Sequence, residues 1–196
     1  YPEIVRLAGG KPIILKTSAE DGFKIDKNKL ISKITSKTKF IIINTPNNPT
    51  GKVIKEDELN ILAYVLKENK GINIISDEIY ELILKKGYKH VSFAAFANEF
   101  KDRIYTVNGF AKGWAMTGWR LGYLVGKKEV IKASTTLQSQ STSNVCSFVQ
   151  RGALAALDIS KEFFEEINQK YDERRDILFR GLKEINHQKL DALVIK

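Results

Sequence analysis

Apolar runs of strand length alternate with segments of helical periodicity along the chain. Strands are predicted where apolar or β-branched residues follow one another without a helical period, at residues 12–16, 39–43, 72–75, 104–107 and 121–125. Helices are predicted at residues 26–34, at residues 56–69, where Leu59, Leu62 and Leu66 share one face, and from about residue 160 onward. Strands separated by helices favour an α/β fold of three layers, in which helices flank a mostly parallel sheet.

The composition excludes several classes of protein. The chain has 196 residues, 43% hydrophobic and 28% charged, which fits a globular protein that buries a core. Its apolar runs are far shorter than the roughly 18 residues of a membrane span, so no membrane segment is expected. The net charge of +9 raises the question of nucleic acid. However, only seven of the 32 basic residues are Arg, and the basic residues are dispersed among acids, so a solvated surface that attracts small anions is favoured.

Cysteine content and the start of the chain bear on the compartment. The single cysteine, Cys146, can form neither an intramolecular disulfide nor, by itself, a zinc site. The chain opens without the succession of basic, apolar and small residues that marks a secretory signal. We therefore expect a cytoplasmic protein without a bound metal.

Polar side chains follow three of the predicted strands, at the sheet edge where ligands bind in open parallel sheets. Asn48 lies in the loop after residues 39–43, and Asp77 and Tyr80 follow residues 72–75. Lys112 follows residues 104–107. The topology therefore predicts that an amide, a carboxylate, a phenol and an amine meet at one edge of the sheet.

Lys112 is the most informative of these residues. It is the only charged residue between Arg103 and Arg120, and its neighbours include Phe110 and Trp114. Apolar surroundings disfavour the ammonium form and make the free amine available as nucleophile and base, which suits Schiff-base chemistry. Taken alone, such a lysine could equally lay its stem on an apolar surface with its head in water.

The other candidates also have structural interpretations. Asp77 could cap a turn, Tyr80 could be a core aromatic residue, Asn48 could form a turn, and Arg120 could join a salt bridge. Their chemical interpretation is more specific. A carboxylate can keep a pyridinium nitrogen protonated, a phenol can hydrogen-bond a ring phenolate oxygen, and a guanidinium can clamp a phosphate. The combination with Lys112 favours the chemical interpretation.

Three strings of sequence resemble the class I and II aminotransferases, fold-type I enzymes that use pyridoxal 5'-phosphate (PLP). The strings are NNPTG at 47–51, SDEIY at 76–80 and AKGWAMTGWRLGY at 111–123. The opening YPEIVRLAGGKPI is similar to the segment that precedes the centre of the same domain. Their order and spacing over most of the chain make the resemblance specific. It implies the large PLP-binding domain of this fold.

The resemblance also implies a role for each site residue. Lys112 would form the Schiff base with PLP and later shuttle a proton, and Asp77 would pair with the pyridine nitrogen. Tyr80 and Asn48 would hydrogen-bond the ring oxygen, and Arg120 would hold the phosphate. Lys112, Asp77 and Tyr80 are thus the predicted catalytic residues, and all five residues are predicted to bind the cofactor.

The chain departs from the family pattern at two positions before the lysine. Gly109 and Ala111 stand where many members have serines, the first of which contacts the phosphate. This pattern resembles the bacterial aspartate aminotransferase subgroup, some members of which also accept prephenate. The loss of one phosphate hydroxyl leaves the lysine chemistry intact.

The family's upstream segments and its small domain have no recognisable counterpart in the sequence, so an internal piece of a longer enzyme is expected. Residues 1–183 are expected to form part of the large domain with its long connecting helix. Residues 184–196 are expected to begin the small domain.

The expected reaction is transamination between L-aspartate and 2-oxoglutarate, giving oxaloacetate and L-glutamate, in a homodimer. The chain alone is expected to be inactive or weakly active, because the substrate carboxylate clamp lies outside it. Two alternatives remain open: a carbon–sulfur lyase of the same fold type, and a non-catalytic module that keeps the fold. No nucleic acid partner is expected, and neither His90 nor His187 is assigned a function.

Overall fold

Four strands form one mixed sheet in the order β1-β2-β3-β4 in the computed structural model, which describes residues 1–186. The strands are β1 (Phe40–Asn44), β2 (Asn73–Asp77), β3 (Ile104–Gly109) and β4 (Gly122–Val125). The first three run parallel, and β4 pairs antiparallel with β3. The predicted fold class, a mostly parallel sheet flanked by helices, is confirmed.

Seven α-helices lie among the described residues. They are α1 (Pro2–Leu7), α2 (Lys27–Lys33), α3 (Glu56–Glu68), α4 (Phe93–Phe96), α5 (Lys128–Ser139), α6 (Ser147–Leu157) and α7 (Lys161–Asn186). Short 3-10 helices span Asn98–Arg103 and Thr117–Trp119. The predicted helices at 26–34 and 56–69 are confirmed within one or two residues. The long final helix begins directly after Ser160, as the sequence indicates.

Helix α3 begins at Glu56 because the residues around its first turn stabilise a helix N-terminus. Acidic residues fill the first turn, where they complement the helix dipole. The side chain of Glu58 accepts a hydrogen bond from the backbone N–H of Lys55 at 3.1 Å, which satisfies a donor at the helix start. Lys52 neutralises the same carboxylate at 2.8 Å. The helix is therefore fixed at the end that follows the predicted site loop.

The main core lies between the sheet and helices α2, α3 and α4. It includes Leu59, Leu62 and Leu66 of α3 against Ile74 of β2 and Ile104 of β3. Arg103 also braces this layer, because its guanidinium donates to three backbone carbonyls, those of Leu66, Asn69 and Ile72. The strand ends that carry the candidate site are thus anchored in a packed core.

The strand predicted at residues 12–16 is wrong. The segment pairs with none of the four strands, and Ile13 and Ile14 are exposed, while Leu15 alone packs against the core. An apolar run forms a strand only where a neighbouring strand supplies hydrogen bonds, and Pro12 also lacks a donor. Strand β1 lies at one edge of the four described strands, and Ile43 is its one buried residue.

The predicted domain boundary at residues 183 and 184 falls inside α7. Helix α7 continues to Asn186, and residues 187–196, including His187, lie outside the described residues. The division into two domains stays a prediction. Among residues 1–186, no helix combines the length and apolar character that crossing a bilayer requires.

Candidate active site

Asp77 is the last residue of β2 and lies at the carboxyl edge of the parallel strands. Its backbone carbonyl accepts hydrogen bonds from the Thr45 N–H at 3.0 Å and from Asn44 Nδ2 at 3.1 Å. Its side chain accepts at Oδ1 from the Ile79 N–H at 3.2 Å and at Oδ2 from the Tyr1 hydroxyl at 2.5 Å. Both the main chain and the carboxylate of Asp77 are therefore held in place.

Asn48 and Tyr80 meet across the ends of β1 and β2. Asn48 Nδ2 donates to the Tyr80 hydroxyl at 2.9 Å, although the two residues are 32 positions apart. The Asn48 backbone N–H donates to Asn44 Oδ1 at 3.0 Å. Asn47 Oδ1 accepts from the Thr50 hydroxyl at 2.8 Å, which closes the loop further. The loop thus presents the Asn48 amide toward the phenol.

Lys112 lies in the turn after β3, and its side chain extends toward this pair. Its Nζ is 5.7 Å from the centroid of the Tyr80 ring. Asn48, Tyr80 and Lys112 therefore meet at one edge of the sheet, the edge at which Asp77 ends β2. Among residues 1–186, Nζ of Lys112 forms neither a hydrogen bond nor a salt bridge, so the amine is available for chemistry.

Aromatic packing holds the turn that carries Lys112. The Trp114 ring lies 4.7 Å from the Phe110 ring and 5.7 Å from the Phe164 ring of α7, centroid to centroid. Trp114 Nε1 donates to the Ala156 carbonyl of α6 at 2.9 Å. Phe110 and Ala156 are buried in the same cluster. The apolar residues that flank Lys112 in sequence therefore act chiefly as anchors for the loop.

Arg120 follows the 3-10 helix and has a left-handed backbone, with φ 55° and ψ 44°. This conformation is uncommon for a residue with a side chain, and such residues concentrate at functional sites. Arg120 Nη1 donates to the Thr117 carbonyl at 3.0 Å. The guanidinium is exposed and keeps further donors for an anion.

Gly109 and Gly122 face each other where β3 pairs with β4. A Cβ atom on Gly109 would lie 2.7 Å from the Gly122 Cα and 2.7 Å from the Leu121 carbonyl oxygen. Both neighbouring atoms belong to the backbone and cannot rotate away. The glycine that replaces the family's serine is therefore built into the strand pairing.

Sequence reasoning missed two features of this region. One is the Tyr1 hydroxyl on Asp77, which joins residues 76 positions apart and has no local sequence signal. The other is a buried network around Glu78, which accepts from Ser76 Oγ at 2.8 Å and from the Phe93 N–H at 3.1 Å, and pairs with His90 Nε2 at 3.1 Å. Burial alone would raise the pKa of Glu78, but the hydrogen bonds from His90, Ser76 and Phe93 outweigh it and lower the pKa. His90 thus has a structural partner beside the site.

The structure thus places an amine, a phenol–amide pair and an anchored carboxylate at one edge of the sheet, an arrangement that can act on a carbonyl group. Comparisons with known proteins show the family to which the chain belongs. Residues 1–194 match the family described as aminotransferase class I and II. The aspartate aminotransferase of Bacillus subtilis is 45% identical over 185 residues, which cover 94% of this chain and 47% of that protein.

Two further relatives extend the match. A probable aspartate/prephenate aminotransferase of Rickettsia bellii is 42% identical over 187 residues, covering 95% of this chain and 47% of that protein. The solved structure of an aspartate aminotransferase from Thermus thermophilus with maleate matches with a TM-score of 0.87 and 42% identity, covering 95% of this chain and 48% of that one. This chain belongs to the class I and II aminotransferase family, as its motifs predict. It spans about half the length of these relatives.

Proposed function

We propose that this chain is the central part of a PLP-dependent aminotransferase that moves the amino group of L-aspartate to 2-oxoglutarate. The observation that carries the proposal is the position of the unpaired Lys112 amine over the Tyr80 ring, whose hydroxyl binds Asn48. The relatives named for aspartate support the amino-acid substrate. Maleate, named with the Thermus thermophilus structure, is a dicarboxylate and supports a substrate with two carboxylates. Prephenate is a second candidate acceptor of the amino group, because the Rickettsia bellii relative is named for it.

When bound, PLP would supply an electron sink that stabilises negative charge on the substrate's α-carbon. The residues of this chain would bind and orient it. Asp77 would accept a hydrogen bond from the protonated ring nitrogen, and Tyr80, positioned by Asn48, would donate to the ring oxygen. Arg120 would hold the phosphate with its exposed guanidinium. Lys112 would hold the cofactor covalently and, once released by the incoming amine, would take the proton from the substrate's α-carbon and pass it on to the cofactor.

The complete protein is proposed to be a cytoplasmic homodimer. Large apolar side chains are exposed on α6 and α7, among them Phe148 at 72% and Leu178 at 63% of their full area. Exposed apolar surface of this kind is covered by further chain or by a partner in stable proteins. A single exposed cysteine suits a reducing compartment. We expect the 196-residue chain alone to turn over substrate far more slowly than the full-length protein.

The test is a titration of the full-length protein with PLP, before and after Lys112→Ala. We expect a visible absorption band that depends on Lys112, and a fall in aspartate transamination of about four orders of magnitude in the variant, because the covalent anchor and the proton carrier are lost together. Lys127→Ala is the matched control, since Lys127 is an exposed surface lysine. It should leave both the band and the rate unchanged.

Product analysis separates the alternatives. Oxaloacetate formation from aspartate would support the proposal. Release of a thiol from cystathionine, with no transamination of aspartate, would replace it with a carbon–sulfur lyase. The absence of any lysine-dependent band at saturating PLP would indicate a non-catalytic protein.

A further inference from the structure

Helix α7 contacts the surroundings of Lys112 at two places one helical turn apart. The Phe164 ring packs edge-on against the Trp114 ring at 5.7 Å, centroid to centroid. Asn168 lies four residues further along, on the same face of the helix, and binds the backbone that follows Tyr80. This face of α7 therefore supports both segments that frame the amine.

The side-chain amide of Asn168 is used at both its nitrogen and its oxygen. Nδ2 donates to the Leu82 carbonyl at 3.0 Å, and Oδ1 accepts from the Leu84 N–H at 3.1 Å. Leu82 and Leu84 belong to no strand, so the amide supplies the donor and the acceptor that a neighbouring strand would supply. Asp172, one turn further along α7, accepts from the Lys86 N–H at 3.0 Å. Alternate residues of this segment are therefore bound to α7.

The segment that Asn168 holds is continuous with Tyr80. The Tyr80 carbonyl accepts from the Ile83 N–H at 2.9 Å, so Tyr80 and the held residues form one turn. The Tyr80 ring lies 5.7 Å from Nζ of Lys112. Support from α7 therefore reaches the ring that faces the amine.

The Leu82 side chain packs against the backbone beside Lys112. A Cβ atom on Gly113 would lie 2.8 Å from Cδ1 and 3.0 Å from Cβ of Leu82, so the two residues are in close contact. Gly113 is buried and follows Lys112 directly. The position of Leu82 therefore limits where the backbone of the lysine can lie.

We propose that Asn168 is a positioning residue that keeps the Lys112 amine and the Tyr80 ring correctly placed for proton transfer. It acts through Leu82, whose backbone it binds and whose side chain packs against Gly113. The inference rests on the proposed function and adds a residue of α7 that lies outside the three motifs. Asn168 binds backbone groups and takes no part in the chemistry itself.

The experiment compares wild type, Asn168→Ala and Asn168→Asp in the full-length protein loaded with PLP. Each protein is mixed with saturating aspartate, and the rate of a single turnover is followed by absorbance well below the melting temperature. We expect Asn168→Ala to lower this rate about tenfold, because even a small displacement of the amine that carries the proton slows the transfer. The half-saturating aspartate concentration should change little, because neither Asn168 nor Leu82 is expected to contact the substrate.

Two variants of α7 control this measurement. Gln169→Ala is the matched control, because Gln169 is the exposed neighbour of Asn168 and its side chain bonds Glu173 on the same helix. It should leave the rate unchanged. Asn168→Asp keeps the acceptor for the Leu84 N–H and removes the donor to the Leu82 carbonyl, so it should also slow the turnover. It provides the test if the alanine variant does not fold.

The second measurement is the pH midpoint of the lysine-bound chromophore. Tyr80 is proposed to donate to the ring oxygen of PLP, and a poorly placed donor leaves more negative charge on that oxygen. The oxygen then holds the proton on the lysine-bound nitrogen more firmly. Asn168→Ala should therefore move the midpoint to higher pH, in the same direction as Tyr80→Phe and by a smaller amount. A purely structural role would lower the melting temperature and change neither the midpoint nor the rate.

The outcomes distinguish the inference from the function on which it rests. A slower single turnover in the Asn168 variants supports the positioning role, and a shifted midpoint shows that the role includes Tyr80. A folded Asn168 variant with the wild-type rate and midpoint would overturn the positioning role alone. Full additivity of Asn168→Ala with Leu82→Ala would also overturn it, because the effect would not pass through Leu82.

Two results in wild type bear on the proposed function. The absence of a lysine-dependent band would overturn the proposed function and this inference together. A wild-type protein that binds PLP without reacting with aspartate would overturn the proposed substrate, and the midpoint would then decide the inference.

Discussion

Two regions supply the groups of the candidate site, and they are held by different forces. The strand-end region, residues 44–51 and 77–80, is fixed by hydrogen bonds from side chains to neighbouring backbone groups, with Asn44 at its centre. The lysine loop, residues 110–120, is fixed by aromatic packing around Trp114. Hydrogen bonds depend on angle and therefore fix the orientation of the strand-end side chains, whereas close packing fixes where the lysine loop lies. The difference matches the proposed roles: Asp77 and Asn48 must keep one orientation, while the Lys112 amine must change partners.

The largest expected effect comes from removing the packing that holds the lysine loop. Trp114→Ala deletes two ring contacts and the hydrogen bond to Ala156, and should lower the free energy of unfolding by about 3 kcal/mol. Chemical denaturation measures this loss. Trp119→Ala is the comparison, since Trp119 is 45% exposed and should cost less. Equal losses from the two tryptophans would contradict an aromatic anchor centred on Trp114.

A smaller, pH-dependent loss of stability is expected from substitution of Glu78, the buried residue that follows Asp77 in the strand-end region. Its pKa is lowered in the folded protein, so it stabilises the fold above its unfolded pKa, and this contribution is lost as the pH falls through the lower folded value. Glu78→Gln should cost about 2 kcal/mol at neutral pH, because the amide places a second donor against His90 or Ser76.

The check is unfolding measured from pH 7 down to acid pH. The difference between wild type and Glu78→Gln should shrink at the acid end. Glu129→Gln alters an exposed pair with Lys127 and should change little at any pH. A difference at Glu78 that stays constant with pH would show that the carboxylate charge is not its source.

The smallest loss of stability is expected from substitution of Asn44, at the centre of the strand-end region. Asn44→Ala removes an acceptor for the Asn48 N–H and a donor to the Asp77 carbonyl, and should cost about 1 kcal/mol of stability. The same substitution should also weaken PLP binding, and by more free energy than it costs in stability. The reason is that the Asn48 amide would lose its fixed direction toward Tyr80. Asn60→Ala, on the exposed face of α3, should not destabilise the protein. Unchanged PLP affinity in Asn44→Ala would contradict the directional role.

The sequence predicts those parts of the molecule that depend on residues close together along the chain. Strands β1, β2 and β3 follow from short apolar runs, and helix α3 follows from helical periodicity. The rule that ligands bind at strand ends correctly brings Asn48, Tyr80 and Lys112 together. The predicted strand at residues 12–16 fails because strand formation requires a partner that periodicity does not reveal. The contact of Tyr1 with Asp77 and that of His90 with Glu78 depend on distant chain segments, and no local pattern encodes them.

The close approach of Gly109 to Gly122 has a consequence for protein engineering and for evolution. A serine in place of Gly109, the residue that the family resemblance implies here, would bring its Cβ into the backbone of Leu121 and Gly122 and force β3 and β4 apart. The two positions are therefore expected to mutate in concert, and lineages that acquire the serine should have a differently shaped neighbouring strand. An enzyme designer who wants that extra phosphate contact has to exchange the whole hairpin.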